Sequence, residues 1–222
     1  MEKIIKERPI LFSAHMVRAI LDDKKTQTRR AIKLPKERGV WEPSIFGGHG
    51  ATYSDGTRCE EMPCIWNTTT GKTFVCPYGK IGDRLWVRET WQHENYPLGP
   101  YESDCQVFYR ADYMDDPLGV DLENSTDKLR RKWNPSIHMP REASRILLEI
   151  TNVRIERLRD ISEEDAIAEG VSNADSFNGI GVDDGMANRY AYRELWQSIN
   201  GQGSWDLNPW VWVIEFSRII SK

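Results

Sequence analysis

A chain of 222 residues gives one domain, or at most two, and enough length to bury a sizeable core. Its 30 Lys+Arg against 34 Asp+Glu leave a formal net charge of −4, which argues against a dedicated duplex-DNA binder. No stretch is long and apolar enough to span a bilayer. The amphipathic segment after Lys3, Lys6 and Arg8 carries His15 and Arg18 where a signal peptide would have an apolar core. A cytoplasmic protein with no membrane partner is expected.

In chain order, Pro9 to Phe12 reads as a short strand. A helix follows, with Ser13 as its cap and Val17, Ile20 and Leu21 at helical spacing. It delivers the chain to Asp22–Arg30, DDKKTQTRR, where Thr26-Gln27-Thr28 has strand propensity. From Lys24 to Arg38 there are seven basic residues and one acidic one, and Lys128 to Lys132 adds four more basic residues. Such patches are a solvated face, or a surface for a polyanion or nucleotide.

An amine three residues from a hydroxyl, Lys25 and Thr28, is the minimum kit for a Thr–Lys nucleophile pair. The hydroxyl is too weakly acidic to attack unaided. The lysine serves as base only if desolvation or neighbouring cations lower its pKa. In a continuous strand the two would face opposite ways, so they converge only if the chain bends before Thr28.

Lys33 to Pro77 is punctuated by glycines and prolines. It reads as an insertion holding a hairpin or two, with Phe74 and Val75 in one strand. A Gly82-Asp83 turn feeds a strand, Arg84 to Trp91. Leu85, Val87 and Glu89 share one face of it, and Trp86, Arg88 and Thr90 the other. A carboxylate on that apolar face must be paired or neutral. Glu89 is therefore either salt-bridged to an arginine or in contact with a base edge.

Gln106 to Ala111 reads as another strand, and Asp112 to Lys132 as a loop. Trp133 to Arg141 follows as a possible pocket cover, with His138 its one group titrating near neutrality. In Ser144 to Leu158 the apolar alternation shifts parity between Ile150 and Val153, so a turn or bulge is expected at Thr151-Asn152. Ile161 to Val171 opens a helix, with Ser162 and Asp165 fitting a capping box and Gly170 its C-terminal stop. Glu169 precedes that glycine. Ser172 to Gly185 is a loop, and Ala187 to Ile199 a second long helix. The last strand, Trp210 to Ile219, follows Trp205 and Pro209; these tryptophans are core or stacking surfaces.

The four cysteines, Cys59, Cys64, Cys76 and Cys105, contain no C-x-x-C pair. Free thiols are expected, with no metal or other cofactor. An irregular zinc site would have to recruit His93 or His49.

The run Asp23-x-Lys25-x-x-Thr28-x-Arg30 resembles the signature of the ASCH domain, a PUA-like β-barrel family, written Gly-x-Lys-x-x-Glu-x-Arg. Lysine and arginine match; the leading glycine and the glutamate do not. The small ASCH proteins that hydrolyse N4-acylcytidines carry Lys-x-x-Thr-x-Arg here. CPYGKIGDRLWVRETW, NPSIHMPREASR and NPWVWVIEF are similar to the longer ASCH proteins common in phages and prophages.

The resemblance implies an α+β fold: a single ASCH/PUA-like domain over 1–222, a mixed β-barrel with flanking helices. Two loop-rich insertions would fall at about 33–78 and 112–142. It also implies a metal-independent amidohydrolase removing the acyl group from N4-acylcytidine-type nucleosides or bases. Lys25 would be the base, Thr28 the nucleophile, and Glu169 the group that protonates or positions the leaving amine. Backbone N–H groups or Arg30 would stabilise the oxyanion, and Arg88, Glu89, His138, Trp205 and Trp210 would contact substrate. No obligate protein partner is evident. A non-catalytic RNA-binding module, or a ribonuclease using Lys25 and His138, are the rival expectations.

Overall fold

The computed structural model describes residues 5–48, 52, 56–57, 59–96, 98–115, 133–171 and 186–220. His49, the loop expected beyond Asp115 with the basic run to Lys132, and the Ser172–Gly185 loop lie outside these. The architecture is α+β, with three helices and several sheets among the described residues. The chain forms two compact units, Met1–Lys24, Asp83–Glu149, Ser217–Lys222 and Lys25–Gly82, Ile150–Phe216. No helix is long and apolar enough to cross a membrane among the described residues.

In the first unit, β1 (Glu7–Leu11) runs parallel to β6 (Arg84–Arg88), setting Ile10 beside Val87. On its other side β6 pairs antiparallel with the start of β9 (Leu147–Arg157), Leu85 facing Leu148. Leu85, Val87 and Glu89 are all buried, as period-2 alternation requires. The expected strand to Trp91 breaks after Arg88, because the Glu89 N–H turns to Met139 Sδ at 3.3 Å. The chain resumes as β7 (Trp91–His93), in a hairpin with β8 (Val107–Tyr109). Beyond Tyr109 it leaves the expected strand for a 3-10 turn, Arg110–Tyr113.

Helix α1 (Ala14–Leu21) buries Val17 and Ile20 and is capped by Ser13, whose Oγ accepts from the Met16 N–H at 3.4 Å. It stops at Asp23, whose φ of 56° lies in the left-handed region. This is the place of the signature's glycine; aspartate is among the few other residues that tolerate such a backbone.

In the second unit, β2 (Gln27–Ala31) lies antiparallel to β10 (Trp210–Ile219), Thr28 opposite Ile214 and Arg30 opposite Trp212. β10 in turn neighbours β9. β9 is one continuous strand, so no turn forms at Thr151-Asn152. The burial phase nonetheless shifts there, with Ile150 and Val153 both buried. The 33–78 stretch supplies β3 (Trp41–Phe46), β4 (Met62–Asn67) and β5 (Thr73–Val75), an antiparallel three-stranded sheet.

Helices α2 (Glu163–Ala168) and α3 (Ala187–Asn200) close over Val211 and Val213 of β10. They share a core of Leu158, Ile161, Ala166, Ala191, Tyr192, Trp196 and Trp205. Only half of the expected capping box forms. Ser162 Oγ accepts from the Asp165 N–H at 3.0 Å, while the Asp165 carboxylate is turned to arginines.

The expected barrel does not close among the described residues. The outer edge of β2 meets no further strand; it meets the end of α2, where the Thr26 N–H donates to the Ala168 carbonyl at 2.8 Å. That contact satisfies one of the carbonyls every helix C-terminus leaves over.

Candidate functional site

The second unit carries a buried ionic cluster where β2, β9, β10 and α2 meet. Its centre is Lys25, which forms an isolated antiparallel bridge with Glu169. The Lys25 Nζ donates to the Glu169 carboxylate at 2.7 Å and to its backbone carbonyl at 2.8 Å. The geometry follows from the cap. Gly170 adopts φ 82° and its N–H closes on the Ile167 carbonyl at 2.8 Å, so the helix ends at Glu169 with that carbonyl unclaimed. An ammonium at a helix C-terminus complements both the carbonyl and the dipole.

The Lys25 and Glu169 side chains are 0% and 3% exposed. Burying two charges costs several kcal/mol per ion before attraction offsets it. Desolvation is the largest influence on Lys25 and lowers its pKa below the ordinary lysine value. Glu169 opposes this, while Arg30 and Arg29 reinforce it. Lys24, the cation next to Lys25 in the chain, is exposed and paired with Asp22 at 3.3 Å.

Arg29, fully enclosed, reaches Asp165 at 2.7 Å, Glu156 at 2.9 Å and Glu169 at 3.6 Å. Gln27 Nε2 donates to the Asp165 carboxylate at 3.1 Å. Arg154 of β9 binds Asp165 at 2.9 Å and also pairs with Glu156 and Glu215. Asp165 is thereby held below the usual carboxylate range by Arg29 and Arg154, against the upward push of burial. The Tyr192 hydroxyl is driven well above its ordinary pKa, by burial first and by Glu169 second. Glu169 Oε1 is buried with no hydrogen bond among the described residues.

Sequence reasoning missed Arg29, Arg154, Glu156, Asp165 and Glu215 as a cluster. A signal was present: Arg154 and Glu156 alternate with Val153 and Ile155, so two opposite charges share one strand face.

The structure thus brings Lys25 and Glu169 together, with Glu169 enclosed and not exposed at its helix end. Thr28 is buried on β2, three residues beyond Lys25, but its hydroxyl makes no hydrogen bond to Lys25 or Glu169. Alternation sets Thr28 on the opposite face of β2 from Gln27 and Arg29. Along that alternate face Arg30 stands opposite Trp212. A cavity of about 320 Å³ near the end of the strand is lined by Ile32, Lys33, Phe74, Tyr78 and Trp212.

The other expected residues have structural partners. In the second unit, Trp205 is 8% exposed and packs edge-on to Tyr192, while Trp210 carries the Arg157 guanidinium 4.0 Å from its ring centre. In the first unit, Glu89 is gripped by Arg145 through two bonds of 3.0 and 3.1 Å, which is the salt-bridge alternative. Arg88 donates to the carbonyls of Met139, at 3.0 Å, and Ile137, bracing the turn on which His138 is exposed. All four cysteines are free thiols. Among the described residues no group of three or more His, Cys, Asp or Glu is arranged to hold a metal ion. The chain matches no protein-family model, no curated protein and no solved structure.

Proposed function

We propose that this protein is an ASCH-type, PUA-like amidohydrolase that removes the acyl group from N4-acylcytidine-type nucleosides or bases through Lys25, Thr28 and Glu169. The observation that carries the reading is the enclosed Lys25–Glu169 pair beside Thr28's strand. A lysine whose pKa is lowered by burial, in direct contact with a carboxylate, is a poised base and acid.

The proton passes from the Lys25 ammonium to Glu169, leaving a neutral amine and a neutral acid. As substrate binds, Lys25 leaves the Glu169 carbonyl and moves to Thr28, a rearrangement this reading requires because the two are not hydrogen-bonded in the free chain. The amine accepts the Thr28 proton, and the alkoxide attacks the exocyclic acyl carbonyl. Arg30 stabilises the oxyanion. Glu169 protonates the departing amine of cytidine, and water then clears the acyl-threonine.

The test is incubation with N4-acetylcytidine, following release of cytidine, for the wild type, Thr28→Ala and Lys25→Arg. Both variants are expected to lose several orders of magnitude, since an activated nucleophile is gone in one and guanidinium cannot act as base in the other. A wild type without turnover, or a Thr28→Ala protein retaining more than about a tenth of the rate, overturns the assignment. RNA binding without turnover would instead favour the non-catalytic module, and cleavage of an RNA oligonucleotide the ribonuclease.

A further inference from the structure

A second cavity of the same unit is unused by this chemistry. It has a volume of about 240 Å³ and is lined by Arg159, Met186, Arg189, Tyr190, Arg193 and Trp205. Three of its six lining residues among the described ones are arginines. Arg189 and Arg193 stand one turn apart on α3, so their side chains share a face. Arg159 comes from the 3-10 turn Leu158–Asp160 that precedes α2.

None of the three pairs with a carboxylate among the described residues. The bond that fixes Arg189 is to a neutral group, Nη2 donating to the Arg159 carbonyl at 3.0 Å. The Nε atoms of Arg189 and Arg193 are buried without a hydrogen-bond partner among the described residues. An acidic group does lie close by, Glu163, but its carboxylate accepts from the backbone N–H groups of Asn188 and Arg189, at 3.0 Å each. It closes the start of α3 and pairs with none of the three guanidinium groups. Buried donors left unsatisfied are costly, and cationic side chains lining one cavity repel unless an anion sits among them.

We infer that this cavity is a phosphate site that takes the phosphate of a nucleotide, held by Arg159, Arg189 and Arg193, with its base against Tyr190. Guanidinium matches phosphate geometry through paired N–H groups, and the volume admits a phosphate with part of the attached sugar. Tyr190 is 41% exposed, so one ring surface is open to a base, while Trp205 gives the cavity an apolar wall.

The experiment is titration calorimetry on the full chain in phosphate-free buffer, with inorganic phosphate, cytidine 5′-monophosphate and cytidine as probes. The nucleotide is expected to bind at least ten-fold more tightly than inorganic phosphate, cytidine not to bind, and binding to weaken with added salt. Arg193→Gln should weaken nucleotide binding at least ten-fold with an unchanged unfolding temperature; it removes no hydrogen bond described for the folded chain. Arg193→Lys should recover part of the loss, and Tyr190→Ala should weaken the nucleotide but not inorganic phosphate. Equal affinity for nucleotide and inorganic phosphate overturns the nucleotide assignment. Absence of binding by either anion, or binding indifferent to Arg193→Gln, overturns the site. The readout is binding, so its outcome is separate from that of the deacylation assay.

Discussion

Each unit of this protein buries a carboxylate with a cation, and the two pairs differ in the cation that does it. In the first unit Glu89 is locked by both arms of Arg145, which also holds Asp112 and lies 3.9 Å from the Tyr109 ring centre. Arginine keeps its proton at any working pH, so that pair is a fixed brace. In the second unit Lys25 meets Glu169 with one carboxylate oxygen and the helix-end carbonyl, and burial lowers the pKa of the amine. Only this second pair can exchange its proton. The choice of lysine over arginine, more than burial itself, separates a pair whose cation can lose its proton from one whose cation keeps it.

The largest expected effect sharpens that contrast. Lys25→Ala strands a buried carboxylate and should cost about 3–5 kcal/mol in urea unfolding, as for other broken buried pairs. Joint Lys25→Met and Glu169→Leu should restore most of that stability, since replacing both charges by apolar groups is often neutral or better. The same double variant should release no cytidine from N4-acetylcytidine. If it does, the pair is not the reactive one.

Glu89→Ala should cost less, about 1–3 kcal/mol, because Arg145 keeps Asp112 and is a quarter exposed to water. Equal losses at the two sites would erase the distinction.

The pairs should also oppose each other in pH. Lys25 in the folded chain has a pKa below the ordinary 10.5, so over that interval the unfolded chain binds more protons. The Lys25 contribution to stability therefore rises with pH through its folded value towards 10.5 and is lost as pH falls. Burial raises Glu89 above the ordinary 4.5 despite Arg145, so its contribution is fully present below 4.5 and declines as pH climbs through the folded value. Stability curves of the wild type minus Lys25→Met, and minus Glu89→Gln, should slope in opposite directions. Matching slopes would contradict the assigned shifts.

The smallest effect compares the helix caps. Ser162→Ala should cost about 1 kcal/mol, the usual value for a lost N-cap. Ser13→Ala should cost only a few tenths, because its bond to the Met16 N–H is long at 3.4 Å against 3.0 Å at Asp165. Thermal unfolding of the two variants measures the difference.

What the sequence determined by itself was local. Apolar spacing placed α1, α3 and β10, because a helix or strand must present one face at its own period to be buried. Ser162 and Gly170 bounded α2, because caps depend on neighbouring backbone groups alone. Those two residues also fix where Glu169 stands, but only the resemblance set it beside Lys25; the cap by itself left it an ordinary helix glutamate.

Tertiary structure decided the rest. Period-2 alternation put Glu89 inside but could not say what would pair with it, since Arg145 lies 56 residues away in the chain. The splitting of the Arg84–Trp91 strand depended on Met139, and the failure of the barrel to close on the end of α2 lying against β2. Arg29, Arg154, Glu156, Asp165 and Glu215 did not read as one cluster until three strands and a helix gathered them. Whether a charge is buried, and which charge it meets, depends on contacts between distant segments, and sequence periodicity carries no record of those.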